Sequence, residues 1–344
     1  MSRLIDLAET SLVPDTLIRA GIRRLVGMRL AEERSGDPQA REERGQRLLR
    51  ELASSRIALD TDQANAQHYE VPASFFRLVL GRHLKYSCAY WGEGIDDLDA
   101  AEAAMLALYA ERAELADGQR VLDLGCGWGS LTLWAAQRYP ASTFTAVSNS
   151  SSQRRLIEWQ ARSRGLTNVQ VITADINDLT LDGGFDRVVS VEMFEHVRNY
   201  ALLLNRISGW LADGGKLFVH IFCHRHLLYP FETRGDADWM ARHFFTGGLM
   251  PAADTLLFFQ NDVRIERRWS ESGAHYRKTA RAWLDNLDQR RGQVADALTE
   301  AYGDADVQRW VQRWRMFFMA CEEQFGYADG TEWLVCHYRF GKRV

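Results

Sequence analysis

VLDLGCGWGS, residues 121–130, is the stretch on which the reading of this 344-residue chain turns. Residues 121–124 form an apolar run of strand length, and Gly125, Gly127 and Gly129 then alternate through a turn. Glycine accepts positive φ and lets a ligand approach the backbone with no Cβ in between. The spacing is G-x-G-x-G, not the G-x-G-x-x-G dinucleotide fingerprint with its helix-packing third glycine. Such a loop suits the compact methionine end of S-adenosylmethionine, with Asp123 near the ligand's ammonium group. A nicotinamide or flavin site is the competing reading.

Outward from that loop, short β-like runs alternate with helical stretches. SLTLWAAQRY (130–139) and SSQRRLIEWQARSRG (151–165) read as helices, and residues 200–213 as another. STFTAVS (142–148), NVQVITADI (168–176), FDRVVSVEMFEHV (185–197) and GGKLFVHIF (214–222) read as strands two to five. This alternation predicts an α/β fold, a Rossmann-like, mostly parallel sheet that binds ligands at the carboxyl ends of its strands. Two further strand ends face that edge. The second runs into Ser148-Asn149-Ser150, where amides and hydroxyls, Gln153 foremost, must meet the ribose. The third ends at Asp175-Ile176, where a carboxylate beside an apolar side chain suits adenine. After residue 225 the alternation fails: residues 225–270 are loop-rich, two helical segments follow at about 275–302 and 305–325, and EWLVCHYRF (332–340) closes the chain as a strand.

Residues 1–65 read as a helical extension, and 66–344 as the ligand-binding domain, its core at about 100–225 and a helical lid at about 226–325. In TLIRAGIRRLVGMRL (16–30), apolar residues recur at helical spacing beside Arg19, Arg23, Arg24 and Arg29 with no acid. This basic helix either makes peripheral contact with an anionic membrane or packs on the main domain. The net charge of −4 gives no pull toward nucleic acid. Five widely spaced cysteines without a CxxC indicate neither a disulfide framework nor zinc, and Cys223, His224, His226 and His243 lack ligand spacing, so no metal is expected. With no secretory signal or membrane-spanning run in view, a reducing cytoplasm is the default. The sequence leaves the oligomeric state open.

The chain resembles the cyclopropane-fatty-acid synthase and mycolic-acid methyltransferase superfamily, most of all its coclaurine N-methyltransferase branch. The likeness runs through SLVPDTLIRAGIRRLVGMRL (11–30), HYEVPASFF (68–76), LKYSCAYW (84–91), LDLGCGWGSLTL (122–133), FDRVVSVEMFEHVRNY (185–200) and EEQFGYADGTEWLV (322–335). It implies a class I methyltransferase sheet, with Tyr86 and Ser87 lining the cofactor pocket beside Gly125, Gly127 and Gln153. It also implies an acceptor site at Glu192, Glu195 and His196, and puts Phe325 and Trp333 in the lid as aromatic pocket walls.

Two acceptors remain open. For a small-molecule amine, a proton must leave the nitrogen, which calls for a carboxylate or imidazole of tuned pKa. His196 is then the base or relay, and Glu192 and Glu195 hold the amine. For an unsaturated lipid chain, the resemblance implies a bound bicarbonate as base, near Cys88, Glu195, His220 and Tyr276. Glu192 favours the amine, because that position is typically small in the lipid synthases. A binding-only protein would have lost the acceptor cluster, and an NAD-dependent oxidoreductase would bind nicotinamide.

Overall fold

The computed structural model describes residues 2–59, 71–232, 235 and 238–343. The expected domain boundary after residue 65, and residues 68–70 of HYEVPASFF, lie outside them. The main sheet contains β1 (Arg120–Leu124), β2 (Thr143–Ser148), β3 (Val169–Thr173), β4 (Phe185–Val191) and β5 (Leu211–His224). A short pair follows, β6 (Tyr229–Pro230) with β7 (Leu249–Met250), and then β8 (Val263–Glu271) and β9 (Trp333–Lys342) return to the main sheet. Its order is β3-β2-β1-β4-β5-β9-β8. The first five strands are parallel, and β9 runs antiparallel between β5 and β8. This is the Rossmann-like, mostly parallel sheet that the alternation predicts, and it has the form that the resemblance implies.

Helices α1 (Ser2–Ala8), α2 (Asp15–Glu33) and α3 (Pro38–Ser54) precede the sheet, followed by α4 (Ala73–Val79) and α5 (Leu98–Arg112). Within it come α6 (Ser130–Arg138), α7 (Ser151–Ser163) and α8 (Tyr200–Trp210). After β5 come α9 (Trp239–His243), α10 (Gly273–Gln289), α11 (Arg291–Tyr302) and α12 (Val307–Phe325), in the stretch expected to form a lid. Three boundaries differ from the sequence reading. The helix expected over 200–213 stops at Trp210, where Leu211 joins β5 opposite Phe185. The segment 275–302 is two helices, broken at Arg290 (φ −115°, ψ 24°). Strand β8 emerges from the stretch read as loop: VRIERRWSE is charged because it forms the sheet's edge, with one row of side chains in water.

Helix α2 packs against α12, and its basic face is engaged within the chain. Arg19 pairs with Glu322 and Glu323 at 2.7 and 2.8 Å, Arg23 pairs with Glu323 at 2.8 Å, and Arg29 reaches Asp238 at 3.2 Å. Glu322 and Glu323 lie about 300 residues downstream of the arginines they meet and Asp238 about 200, which is why the local reading left a membrane surface open as a partner. No helix among the described residues is long and apolar enough to cross a membrane.

The glycine loop joins β1 to α6. The N–H groups of Gly125 and Cys126 both donate to the Val147 carbonyl, which ties the turn to β2. Gly129 caps α6 at φ 81°, and a Cβ there would stand 2.7 Å from Cγ1 of the fully buried Ile157 on α7. So the third glycine packs helix against helix, a role that the sequence reading had assigned only to the dinucleotide motif. Gly129→Ala should therefore destabilise the fold by about 1–3 kcal/mol through strain and overpacking. Gly21→Ala, in open space within α2, should stabilise by roughly 0.5–1 kcal/mol. Urea denaturation of the two variants checks both signs.

Candidate active site

The carboxyl ends of β1, β2, β3 and β4 meet at one edge of the sheet, and a cavity opens there. Tyr86, Ser87, Asp123, Gly125, Gly127, Ser148, Asn149, Gln153, Asp175 and Ile176 line it, as do Glu192, His196 and Tyr276. Gly129 does not, being turned to α7. Cβ atoms added at Gly125 and Gly129 would strike Met193 and Ile157, whereas one at Gly127 would meet nothing within 4 Å.

The polar wall of this cavity holds the residues expected to meet the amino-acid and ribose parts of S-adenosylmethionine. Ser148 donates its hydroxyl to Gln153 Oε1 at 2.5 Å, which leaves the buried Gln153 Nε2 without a partner among the described residues. Trp128 Nε1 and Ser130 Oγ, also on the wall, are buried donors in the same condition. Buried donors of this kind are rare in folded proteins unless a ligand or water meets them. Asp175 Oδ1 accepts from the Asn177 backbone at 2.7 Å, so this carboxylate caps a turn as well as lining the cavity. Asp123 is 2% exposed and accepts from the Thr132 hydroxyl at 2.5 Å. Burial pushes its carboxyl from an ordinary 3.8 to about 6, against the opposing effect of the Thr132 donors.

Glu192 follows β4 with φ 46°, a left-handed conformation that costs a non-glycine residue about 1–3 kcal/mol. Its N–H still donates to the His220 carbonyl of β5 at 2.9 Å. Three groups converge on its carboxylate. Oε1 accepts from the Cys88 backbone N–H at 2.9 Å and lies 3.0 Å from His220 Nε2, and the Tyr276 hydroxyl donates to Oε2 at 2.8 Å. Lys85, 2% exposed, adds a positive charge nearby while donating to Ser87 Oγ and the Cys88 carbonyl, each at 2.6 Å. Burial lowers this ammonium to about 8. Cys88, His220 and Tyr276 are three of the four residues expected to surround a bicarbonate. In the structure they surround the chain's own carboxylate.

Glu195, the fourth, lies apart. It is fully buried, outside the cavity wall, with Oε1 accepting from the Phe222 N–H at 2.7 Å. Burial and the neighbouring Glu192 charge hold its carboxyl well above the usual range. An acid enclosed away from the cavity does not reach an ammonium there, which corrects the role expected for it. His196 does reach the wall, stacked on Phe245 with centroids 4.8 Å apart. Burial lowers its imidazole to about 4, with the Glu192 charge pulling the other way, so it is neutral at pH 7.

The apolar wall consists of Phe222, Phe245, Tyr276, Trp283 and Phe317. Phe325 lies behind it, flat on Tyr276 at 4.2 Å and 9°. Trp333 is further in the core, donating Nε1 to the Tyr229 hydroxyl at 3.1 Å. Phe325 also meets Phe222 edge to face and so braces the wall, whereas Trp333 packs edge-on against His224 and Tyr327. Lys85 was missed by the sequence reading. Its signal was a lone cation in the run LKYSCAYW.

The family model for mycolic acid cyclopropane synthetase matches residues 58–331. The (S)-coclaurine N-methyltransferase of Thalictrum flavum subsp. glaucum is 39% identical over 344 residues, covering 99% of this chain and 95% of the relative. The cyclopropane-fatty-acyl-phospholipid synthase of Escherichia coli K12 is 30% identical, covering 79% and 67%. A crystal structure of coclaurine N-methyltransferase bound to N-methylheliamine and SAH superposes with a TM-score of 0.95 at 38% identity, covering 99% of both chains.

If Asp123 receives the ammonium of the ligand, the cofactor product S-adenosylhomocysteine should bind more tightly as pH rises through about 6, where the carboxyl ionises. Without ligand the sign is opposite: a carboxyl raised from 3.8 to about 6 loses its contribution to stability across that window as pH rises. Isothermal titration across the window, repeated on Asp123→Asn, checks this. The variant should lose the pH dependence of binding.

Proposed function

The chain belongs to the mycolic acid cyclopropane synthetase family and is an S-adenosylmethionine-dependent methyltransferase, and from that premise we propose that its acceptor is the nitrogen of a hydrophobic small-molecule amine. One observation carries the reading: the Glu192 carboxylate sits among Cys88, His220 and Tyr276, where the lipid reading needs a bicarbonate. A fixed carboxylate attracts and orients a cationic amine, whereas it would be an odd neighbour for a carbocation. It also makes an added base unnecessary. The names of the similar N-methyltransferases support the same acceptor class.

The bound cofactor supplies a methyl group already activated on a positive sulfur. The protein's part is to position the acceptor, exclude water and manage one proton. Asp123 and Gln153 hold the amino-acid and ribose ends. Glu192 takes the hydrogen bond of the incoming ammonium and then its proton, and the neutral His196 beside it relays that proton outward. Phe222, Phe245, Tyr276, Trp283 and Phe317 enclose the apolar body of the acceptor, and aromatic faces also favour a cation. With Arg19 and Arg23 engaged by the lid, a soluble amine in the cytoplasm fits better than a substrate presented at a membrane.

Replacing Glu192 by glycine keeps the left-handed backbone free of strain, so a loss of rate would not reflect a misfolded loop. The expected drop in kcat/KM on an amine panel is about 10²–10⁴-fold, the usual range for a proton-handling group. Carbonate-depleted buffer should leave the parent enzyme's rate unchanged. Unimpaired turnover by Glu192→Gly, or mass spectrometry finding the added carbon on an unsaturated phospholipid chain and not on nitrogen, would sink the amine assignment.

A further inference from the structure

Two histidines face each other between the strands β5 and β9. His220 on β5 is the register partner of His337 on β9, and both are fully buried. Antiparallel neighbours in a sheet interior are ordinarily apolar, and an unsatisfied imidazole there would be costly. Both rings are instead linked into one chain. Arg112, the last residue of α5, places NH1 2.6 Å from His337 Nδ1. His337 Nε2 lies 2.8 Å from His220 Nδ1, and His220 Nε2 lies 3.0 Å from Glu192 Oε1.

We propose that Arg112 and His337 are positioning residues for the Glu192 carboxylate, Arg112 acting as a donor-only end group that fixes the tautomer of both histidines. A guanidinium has five N–H donors and no acceptor, and it does not deprotonate in proteins. His337 Nδ1 must therefore accept, which puts that ring's proton on Nε2. That N–H donates to His220 Nδ1, so His220 also carries its proton on Nε2 and presents it to Glu192. The Tyr109 hydroxyl, 2.9 Å from His220 Nδ1, then shares that one lone pair as a second donor. Burial lowers both imidazoles well below their ordinary value, and Lys85 and Arg112 act in the same direction, so each ring holds one proton.

The chain is closed to protons at its outer end, because Arg112 gives none up. A proton taken by Glu192 leaves toward the cavity and not through the sheet. The function of the relay is to hold a hydrogen-bond donor at the carboxylate. Without Arg112 the histidines can exchange tautomers, and His220 can turn a lone pair on Glu192. The carboxylate then loses a donor and becomes harder to ionise. The other groups facing it keep their places: Lys85 and Cys88 from the loop before α5, Tyr276 from α10 and Cys321 from α12. Tyr109 from α5, with Glu195 and His196 from the turn after β4, complete that set. Arg112 also pairs with Glu271 at 2.6 Å and lies over the Trp269 ring, so the ion pair needs its own control.

The tautomer claim is independent of the acceptor and is tested without one. In the ¹⁵N-histidine spectrum of the whole enzyme, His220 and His337 should be neutral and protonated on Nε2 through neutral pH. A cationic ring, or His220 protonated on Nδ1, would overturn the proposal. The kinetic claim rests on the amine reading. In Arg112→Gln the acidic limb of the kcat/KM profile should move up by about one pH unit, roughly tenfold in rate below the limb. Arg112→Lys, still donor-only, and Glu271→Gln, which removes only the ion pair, should leave the limb in place. A pH-independent loss shared by Gln and Lys at position 112, or an unmoved limb in Arg112→Gln, would mark Arg112 as structural only. If the spectrum holds while no amine is methylated, the amine reading fails and the tautomer relay stands.

Discussion

Keeping one carboxylate charged inside an apolar cavity is the constraint around which the site is built. Burial alone drives Glu192 toward its neutral form, and an unpaired buried charge costs several kcal/mol. The protein offsets this with the Cys88 N–H, the Tyr276 hydroxyl, the His220 imidazole and the Lys85 charge. These arrive from three separate places: Cys88 and Lys85 from the run before α5, Tyr276 from the helix α10 and His220 from the strand β5. The strained φ of Glu192 brings them onto one side chain while its own N–H stays in the sheet. The same electrostatics separates the two neighbouring acids. Glu192 receives the donors, and Glu195 is held well above the usual carboxylate range by burial and by the Glu192 charge.

That arrangement needs a dry roof, and the N-terminal helices help to fasten it. Helix α2 is riveted to α12 by Arg19, Arg23, Glu322 and Glu323, and Arg315 of α12 joins Asp15 of α2 to Asp288 of α10. At the other end of the bundle the buried Glu9 accepts from Trp239, Arg309 and Arg313. Exposed ion pairs of this kind contribute little singly, in the range of 0–1 kcal/mol. Half-buried and linked in a network, they set the register of the lid helices over the aromatic wall. The basic face of α2 is thus an internal adhesive.

What the sequence by itself determined is whatever depends on neighbours a few residues apart. The alternation of strand and helix, the turn at Gly125 and Gly127, the apolar strand cores and the ends carrying Ser148, Asp175 and Glu192 all follow from local pattern, because period and turn chemistry act over single elements. Resemblance in the quoted motifs carried the cofactor and the family. Tertiary structure alone decided which member of each local group meets the cavity. Glu195 and His196 are adjacent in the chain, yet one is sealed in the core and the other reaches the wall. Phe325 and Trp333 stand behind Tyr276 and Tyr229, while Phe222 and Phe245 take the wall. The Arg112–His337–His220 chain joins residues over 100 positions apart, so no local period could announce it. A hydrogen bond depends on distance and direction between elements, and those are set only when the sheet closes and the helices pack on it.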